Sequence, residues 1–310
     1  MEVAKRSYGV DVSSFQGTDL AKYANLGAKY AFVKVSEGLD YRNPKAEAQI
    51  KSAKDNGMMV SGYHYARFSA NSGVAVQEGH YAVNSAVAVG LPKGSYLACD
   101  WESGSGNVTN QGYEASANAV LAFLDVIVAA GYKPLLYSGK SLLTNNINVK
   151  KITAKYGTCL WVASYKTMNR QDTADFGYFP SMDNIAIWQF SSNWYGLDVD
   201  ANITLIDLKT DDKPVSKSTI KQPAQQSWVD ELGDTWYKEE GKFYPNGTIN
   251  IRYGARTTSD IIGTVTKGDC VKYDAYSRHG GYVWIRQPRA DGEPGFLVCR
   301  QGNDPWGTFK

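Results

Sequence analysis

Four acidic residues stand out because each lies within or beside a short apolar run. They are Asp11 in YGVDVS, Asp100 and Glu102 in SYLACDWE, and Asp200 in DVDANIT. A buried carboxylate is costly unless it is paired or used, so these positions are candidates for chemistry. Asp100 and Glu102 are two residues apart, which places both side chains on the same face of a strand.

Clustered carboxylates suit the hydrolysis of a glycosidic bond. Mutual repulsion and desolvation raise the pKa of one member, which then stays protonated near neutral pH and acts as an acid. The ionised members stabilise the positive charge that develops on a sugar ring. A single Asp at the end of a strand is more often a cap or turn residue, so the pattern alone leaves a structural role open.

The elements that must position these acids alternate along the first two thirds of the chain. Apolar, β-branched and aromatic runs predict strands at residues 8–13, 30–36, 59–66, 95–102, 133–139, 159–165, 185–190 and 198–204. The intervening pattern predicts helices at 18–28, opened by a capping Thr18, at 43–57 and at 110–131. This alternation predicts a parallel sheet, and about eight strands predict an α/β fold with a β/α barrel. Only a short loop separates the last two runs, so we expect an irregular barrel.

Two further segments follow the predicted barrel domain, which we assign to residues 1–208. Residues 209–227, KTDDKPVSKSTIKQPAQQS, are polar and contain two prolines, which is typical of a linker. Residues 228–310 contain short strand-like runs between Gly and Asp turns, which predicts a small all-β domain.

Composition argues against several classes of protein. The net charge is +2; residues 1–208 hold 18 basic and 18 acidic residues, and the rest of the chain holds 15 and 13. Neither part has the basic excess of a nucleic-acid-binding protein. No run reaches the roughly 18 apolar residues of a membrane span, so we expect no membrane insertion. The first residues, MEVAKRSYGVDVSS, lack the apolar core of a signal peptide.

Metal, cofactor and nucleophile signatures are weak in this sequence. The four cysteines, Cys99, Cys159, Cys270 and Cys299, form no C-x-x-C pair, and the three histidines have no H-x-x-x-H spacing. We therefore expect no metal site and no cofactor. Four free thiols are the favoured state, although spacing alone leaves a bond between Cys270 and Cys299 open. No G-x-S-x-G elbow follows a strand, which argues against a serine hydrolase.

The first 208 residues resemble glycoside hydrolase family 25, the muramidases of phages and bacteria. The resemblance rests on stretches that occur in the family's order: GVDVSSFQG (9–17), FVKVSEG (32–38), GYHYAR (62–67), CDWE (99–102), LLYSG (135–139), LWVASY (160–165), WQFSS (188–192) and VDAN (199–202). It implies an irregular β/α barrel that hydrolyses the β-1,4 bond between MurNAc and GlcNAc in bacterial peptidoglycan.

The resemblance also implies roles for the acids. Glu102 matches the general acid, and Asp100 matches the carboxylate that positions the substrate's N-acetyl group or stabilises the oxocarbenium-like transition state. Asp11 and Asp200 match the other two acids of the groove. Asp198 lies two residues from Asp200, but the V-D-x-N match favours Asp200. The family implies retention of configuration with the acetamido oxygen as nucleophile, and an enzyme nucleophile stays open.

Aromatic residues near the same strand ends are candidates for a sugar-binding platform. They are Tyr63, Tyr65, Tyr137, Trp161, Tyr165 and Trp188. Alternation along strands predicts that some of them belong to the core instead. Lys34 is a further substrate-binding candidate, which either pairs with Glu37 near the mouth of the groove or caps a strand. His64 is more simply explained as a hydrogen-bonded structural residue.

Residues 228–306 resemble the bacterial SH3-like domains that anchor wall-lytic enzymes. The matching stretches are INIRYGARTTSDIIGTVTKGDCVKYD (249–274) and GYVWIRQ (281–287). The resemblance implies binding to the peptide or cross-bridge of peptidoglycan. Candidate groove residues are Asn250, Tyr253, Tyr273, Tyr282 and Trp284, although rings in so small a domain also pack its core. Tethering would raise the effective concentration of the barrel at the wall.

Three functional hypotheses follow. The first is a muramidase, the second is another wall hydrolase such as an amidase or peptidase, and the third is a non-catalytic wall-binding protein on a degenerate barrel. The third predicts loss of one or more of the four acids, and all four are present. The two-part layout without a signal peptide favours a phage or prophage endolysin, made in the host cytoplasm and released to the wall. An enzyme exported by another route would look the same.

Overall fold

A computed structural model describes residues 1–104, 106–211, 227–230, 232–289, 292–302 and 304–309. The chain divides into two compact units, Met1–Ser216 and Lys217–Lys310. Most of the predicted linker, residues 212–226, lies outside the described residues. None of the helices in the described part of the chain is long and apolar enough to span a bilayer.

The first unit alternates strands with helices. Its strands are β1 (Glu2–Val3), β2 (Tyr8–Val12), β3 (Tyr30–Glu37), β4 (Tyr41–Arg42), β5 (Met59–Tyr65), β6 (Tyr96–Asp100), β7 (Lys133–Gly139), β8 (Leu160–Ala163), β9 (Ile185–Ser191), β10 (Asp200–Thr204) and β11 (Leu208–Lys209). Its helices are α1 (Ala21–Asn25), α2 (Ala46–Asp55), α3 (Ser72–Ala88), α4 (Tyr113–Ala129), α5 (Lys140–Asn145) and α6 (Val149–Tyr156), with a 3₁₀ turn at Phe176–Tyr178. The eight predicted strands are therefore confirmed.

Eight of these strands close into a barrel in the order β2, β3, β5, β6, β7, β8, β9 and β10, with β10 pairing back to β2. The pairs from β2 to β9 are parallel. Strand β10 is antiparallel to both of its neighbours. A hairpin-like return replaces the last crossover helix, because the β9–β10 connection is too short to hold one. The predicted irregularity is confirmed at this point.

The reversed strand brings its first residue to the rim that carries the ends of the other strands. Asp200 begins β10 and lies opposite Asp11, near the end of β2. A parallel strand would have presented its last residue at this rim instead. The reversal therefore explains how a residue at the start of a strand joins residues at strand ends.

The helices agree with the sequence prediction only in part. The sequence pattern predicts no helix where α3 (Ser72–Ala88) lies. Asn71 caps the start of this helix, because its side chain accepts a hydrogen bond from the Val74 N–H. Thr18 does not cap α1, which begins at Ala21 without a side-chain cap. Helix α2 ends as expected, with Gly57 in the left-handed region at φ +70° just beyond it.

Large aromatic residues fill the barrel unit. Trp161, Phe32 and Phe123 belong to its buried core, and strand β9 is buried on both faces, as expected between the barrel interior and an outer layer. The close packing requires a glycine in β2, because a Cβ at Gly9 would overlap the Tyr30 ring. The short strands β1 and β11 pair beside the barrel and tie both ends of the unit together.

The second unit is built from antiparallel strands. They are β12 (Ser227–Val229), β13 (Thr235–Pro245), β14 (Ile249–Arg252), β15 (Ile261–Val265), β16 (Val271–His279), β17 (Tyr282–Gln287), β18 (Gly295–Gln301), β19 (Asp304–Pro305) and β20 (Gly307–Phe309). The main path of the sheet runs β12-β13-β16-β17-β18-β14-β15. Two small cores form around Phe243 and around Trp236. The additional all-β part of the predicted fold is confirmed.

Candidate active site

The four acids converge on one cleft at the rim of the barrel. Asp11 comes from β2, Asp100 from the end of β6, Glu102 from just beyond it, and Asp200 from the start of β10. The remaining lining residues are Tyr63, Tyr137 and Trp161. Strand β6 ends at Asp100, so Glu102 lies in the following loop rather than on the strand, yet it lines the same cleft.

Two amide side chains hold Asp11. The Gln189 Nε2 and the Asn202 Nδ2 both donate to the Asp11 Oδ2, at 2.8 and 2.7 Å. Gln189 lies on β9 and Asn202 on β10, the two strands at the antiparallel end of the barrel. Two donors on one carboxylate oxygen favour the ionised form of Asp11 and fix its orientation.

Aromatic donors fix the orientation of both amides. The Tyr137 and Tyr165 hydroxyls donate to the Gln189 Oε1. The Trp161 Nε1 donates to the Asn202 Oδ1 at 2.7 Å. Because each amide oxygen is engaged by a donor, each amide N–H group points at Asp11. The rings of the cleft thus act on Asp11 through Gln189 and Asn202.

Asp11 and Asp200 are neighbouring acids, and the pKa of each is raised. Burial raises the pKa of Asp200 to about 9, with the neighbouring Asp11 adding to the effect. Burial also raises the pKa of Asp11, while hydrogen bonds from Asn202 and Gln189 oppose the rise. The two donors favour the ionised form of Asp11 over that of Asp200 when one of the two acids carries the charge.

Asp100 and Glu102 form the other carboxylate pair. Burial, followed by repulsion from Glu102, raises the pKa of Asp100 well above its usual value. Burial and then repulsion from Asp11 raise the pKa of Glu102, while the Lys34 cation opposes the rise. The Asp100 Oδ1 is buried and has no hydrogen-bond partner within the described residues. A buried acceptor without a donor is costly unless a ligand supplies one.

A charged group lies beside the cleft at the end of β3. The Lys34 Nζ donates to the Glu37 Oε2, and the Arg67 guanidinium also donates to Glu37. The Lys34 Nζ lies 4.8 Å from the centroid of the Tyr65 ring and 5.5 Å from that of Tyr41. Lys34 is expected from the sequence either to pair with Glu37 or to cap a strand, and the structure shows the ion pair with Glu37.

The predicted aromatic platform divides between cleft and core. Tyr63 and Tyr137 line the cleft and are partly exposed. Tyr65 and Tyr165 are also partly exposed. Trp161 lines the cleft but is 1% exposed. The expectation for Trp188 is wrong, because its ring is buried against Phe176 and Phe179 on the side of β9 opposite to Gln189.

Asp198 and His64 are not among the described residues that line the cleft. Asp198 is exposed in the β9–β10 loop at φ +51°, whereas Asp200 lines the cleft. His64 is buried; its Nδ1 lies 2.8 Å from the Ser36 Oγ and its Nε2 lies 3.0 Å from the Glu78 Oε2. Burial lowers the pKa of His64, although Glu78 opposes this. The structural interpretation of His64 matches these contacts.

Sequence reasoning missed Gln189 and Asn202. Both lie inside the motifs WQFSS and VDAN that carried the resemblance. Period-2 alternation offered a further signal: Gln189 is the polar residue between the apolar Trp188 and Phe190, so it faces the other side of the strand. A polar residue facing a barrel interior requires a polar partner, and here the partner is Asp11.

Comparison with known proteins identifies the first unit. The profile described as Glycosyl hydrolases family 25 matches residues 10–199. The chain belongs to this family. It is therefore a glycoside hydrolase, and the four acids of the cleft lie within or one residue beyond the matched range.

Phage proteins are among the relatives of this family 25 hydrolase. It is 41% identical over 174 residues to a lysozyme of Lactococcus phage mv1, which covers 56% of this chain and 86% of that protein. It is 32% identical over 244 residues to a protein of Streptococcus phage B30 named D-alanyl-L-alanine endopeptidase. That match covers 76% of this chain but only 52% of the relative, so this chain spans about half of its length.

A solved structure supports the fold. The crystal structure of the modular Cpl-1 endolysin complexed with a peptidoglycan analogue matches with a TM-score of 0.57 at 24% identity. The match covers 98% of this chain and 98% of that chain. It confirms the irregular α/β barrel of family 25 in the first unit.

The candidate groove residues of the second unit also divide between surface and core. Tyr273 and Trp284 are 7% and 1% exposed, so the expectation that their rings line a groove is wrong. Tyr273 donates to the Glu239 Oε1, and Trp284 stacks on His279. Tyr253 is 61% exposed, and Asn250 and Tyr282 are partly exposed. These three remain available to a ligand.

No redox or metal centre is evident in the described residues. Cys99, Cys159, Cys270 and Cys299 are all free, and only Cys270 is exposed. Burial raises the pKa of Cys159 and of Cys299 to about 12, which disfavours the reactive thiolates. Within the described ranges, no group of three His, Cys, Asp or Glu side chains is arranged to hold a metal ion.

Proposed function

We propose that this family 25 hydrolase is an N-acetylmuramidase that cleaves the β-1,4 bond between MurNAc and GlcNAc in bacterial peptidoglycan. The observation that carries the proposal is the convergence of four carboxylates on one cleft, one of them with a buried oxygen that has no hydrogen-bond partner among the described residues. The name and 41% identity of the Lactococcus phage mv1 lysozyme support the same activity.

Glu102 is the general acid of the proposed reaction. Its raised pKa keeps the carboxyl protonated at a pH where an ordinary glutamate has ionised. It is partly exposed, so a glycosidic oxygen in the cleft can reach its proton. Proton transfer to that oxygen gives the leaving sugar a neutral hydroxyl.

Asp100 is the partner of the substrate's acetamido group. The Asp100 Oδ1 needs a donor, and the acetamido N–H of a bound sugar supplies one. This contact would turn the acetamido carbonyl towards the anomeric carbon. We therefore propose a retaining reaction in which that carbonyl oxygen attacks as Glu102 protonates the leaving group, and water then opens the cyclic intermediate.

Asp11 and Asp200 shape the electrostatics of the cleft. Gln189 and Asn202 donate to Asp11 and favour its ionised form, whose charge would stabilise the developing oxocarbenium ion. Asp200 keeps a proton and hydrogen-bonds to Asp11, so the pair contributes one negative charge rather than two. Because its contacts are in place before substrate binds, Asp11 needs no reorganisation during the reaction.

The second unit is proposed to be an SH3-like domain that holds the enzyme on the wall. Its antiparallel strands and two small cores support this assignment. Asn250, Tyr253 and Tyr282 are the proposed contacts with the peptide or cross-bridge, because their side chains are not fully buried. We place the boundary between the two domains within residues 209–227.

We further propose a phage or prophage origin, with synthesis in the host cytoplasm and release to the wall. The phage origin of the relatives at 41% and 32% identity supports this proposal. Neither nucleic acid nor membrane is a proposed partner.

A peptidase is the second candidate, because one relative is named an endopeptidase. Against it, Cys99 and Cys159 of the first unit are buried, and burial raises the pKa of each thiol. The four-carboxylate cleft also has no thiol among its lining residues. Glycosidic cleavage therefore fits the barrel better.

Product analysis separates the two candidates. Purified peptidoglycan is digested with the wild type and with Glu102→Gln, and new reducing ends and new free amino groups are counted. We expect new reducing ends at MurNAc, lowered by about 10²- to 10⁴-fold in rate in the variant. New amino groups that persist in Glu102→Gln would contradict the muramidase proposal.

A further inference from the structure

A single phenylalanine projects into solvent from the loop that follows β2. Phe15 is 92% exposed, the highest value for any large hydrophobic side chain among the described residues. It lies four residues after Asp11, in the segment Ser13–Gly17 that leaves the active-site rim. Isolated exposed hydrophobic residues are common on proteins, so exposure alone assigns no role.

The loop that carries Phe15 is anchored from several directions. The Lys45 Nζ donates to the carbonyl oxygens of Ser14 and Gln16. The Gln49 Nε2, on a fully buried side chain, donates to the carbonyl oxygens of Ser13 and Gly17 at 2.8 and 3.1 Å. The side chains of Lys45, just before α2, and Gln49, on α2, therefore hold the backbone of the loop at residues 13, 14, 16 and 17.

Two further contacts complete the anchoring. The Tyr41 hydroxyl donates to the Ser14 Oγ at 2.9 Å, and the Ser13 backbone N–H donates to the Gln16 Oε1 at 2.9 Å. The Gln16 Nε2 then donates to the Asp198 carbonyl oxygen in the β9–β10 loop. A hydrophobic ring on a flexible loop could fold back onto the protein, but this network holds the ring of Phe15 outward.

The position of this loop relates Phe15 to the cleft. Asp11 and Asp200 are paired residues on neighbouring strands, and the loops that extend those strands are joined by the Gln16–Asp198 contact. The loop that carries Phe15 is therefore joined to the loop that leads into Asp200.

We propose that Phe15 is a glycan-binding platform on which a sugar ring of the peptidoglycan strand packs, outside the sugars that flank the scissile bond. The apolar C–H face of an N-acetylated hexose is the surface that a fixed aromatic ring recognises. Pre-ordering of the loop reduces the entropy lost on binding. This inference rests on the proposed muramidase function and adds a binding contact to it.

The test measures binding separately from turnover. Isothermal titration calorimetry with a peptidoglycan tetrasaccharide is performed on Glu102→Gln, and on the same variant carrying Phe15→Ala, Phe15→Trp or Val128→Ala. Val128 is 40% exposed near the C-terminal end of α4 and serves as the matched control. We expect Phe15→Ala to raise Kd about 5- to 10-fold, with Phe15→Trp and Val128→Ala within about 2-fold. In the active enzyme, Phe15→Ala should raise KM with kcat nearly unchanged.

The outcomes distinguish this inference from the function on which it rests. If Glu102→Gln binds no tetrasaccharide, both the muramidase proposal and the platform are wrong. If Glu102→Gln binds it and Phe15→Ala binds equally well, only the platform is wrong. An equal loss in Phe15→Ala and Phe15→Trp would also overturn it, because a tryptophan retains the aromatic face.

Discussion

The acids of the active-site cleft and those of the second unit have opposite surroundings. In the barrel unit, Asp11, Asp100, Glu102 and Asp200 meet one another in a cleft, and the pKa of each is raised. In the second unit, Asp234 pairs with Arg256, and the Asp274 Oδ2 lies 3.7 Å from the Arg286 Nη1. Other acids of the barrel unit are also paired with cations, as Glu37 is with Lys34, whereas the four cleft carboxylates lie beside one another.

This contrast separates a site built for reaction from ordinary surface ion pairs. Like charges brought together under burial oppose folding, and such an arrangement persists where function requires it. Paired charges at a partly exposed surface contribute little to stability and impose no comparable cost. The predictions below test the separate roles of the cleft and of the second unit.

The largest expected difference lies between Asp100 and Asp274. Each has a buried Oδ1 without a hydrogen-bond partner within the described residues. Asp100→Asn should lower kcat on soluble glycan by about 10²- to 10³-fold, because the substrate loses its acetamido partner. Asp274→Asn should leave kcat within about 2-fold. Initial rates of reducing-end release measure both, and equal losses in the two variants would contradict a catalytic-site role for Asp100.

Removal of the second unit should affect intact cells more than soluble substrate. The truncation is made after Asp211 rather than at residue 209, because Leu208–Lys209 pairs with Glu2–Val3 and the Met1 amino group donates to the Thr210 carbonyl oxygen. Lysis of cells should fall by about 10- to 100-fold as the tether is lost, with cleavage of soluble fragments within about 3-fold. Equal losses on both substrates would count against tethering.

Much of this architecture is readable from sequence because its signals are local. The eight barrel strands follow from runs of β-branched and aromatic residues, and the CDWE and VDAN segments carry three of the four acids. The short β9–β10 connection also predicts the irregular end of the barrel. These features depend on periodicity and on spacing, which a single sequence displays.

Other features depend on contacts between distant segments. The role of Gln189 requires the register that places β9 beside β10, and β10 beside Asp11. Trp188 and Trp284 have the composition of platform residues, but only packing shows that their rings are buried. Helix α3 has small residues and a weak amphipathic pattern, and contacts with α4 and the barrel stabilise it.

Gln189 offers a test of the polar network beneath the cleft. Gln189→Met keeps the side-chain volume but removes one of the two donors to Asp11. The pKa of Asp11 should rise, because its ionised form loses a hydrogen bond. We expect kcat to fall about 10-fold and the acidic limb of the pH–rate profile to move to higher pH. A uniform fall at every pH would indicate a packing effect instead.

The smallest expected effects are on stability, and they have opposite signs in the two units. In the second unit, partial burial of Asp230 is outweighed by hydrogen bonds from the Asp234 N–H, the Trp236 indole and the Leu232 N–H, so its pKa is lowered. The ionised form is stabilising above its usual pKa, and this contribution is lost as pH falls through the lowered value. Asp230→Asn should therefore destabilise the protein by about 1 kcal/mol near neutral pH.

Asp200→Asn should instead stabilise the protein. The pKa of Asp200 is raised to about 9, so the folded protein binds a proton that the unfolded chain releases above the usual pKa of 3.8. The folded state thus loses stability as pH rises from about 4 to about 9, and an asparagine, which can still donate to Asp11, avoids that loss. We expect a gain of roughly 1–3 kcal/mol at pH 8 and a smaller gain at pH 5. Calorimetric unfolding of the full chain at both pH values measures this difference. A gain that shrinks between pH 5 and pH 8 would show that Asp200 is not held as the protonated partner of Asp11.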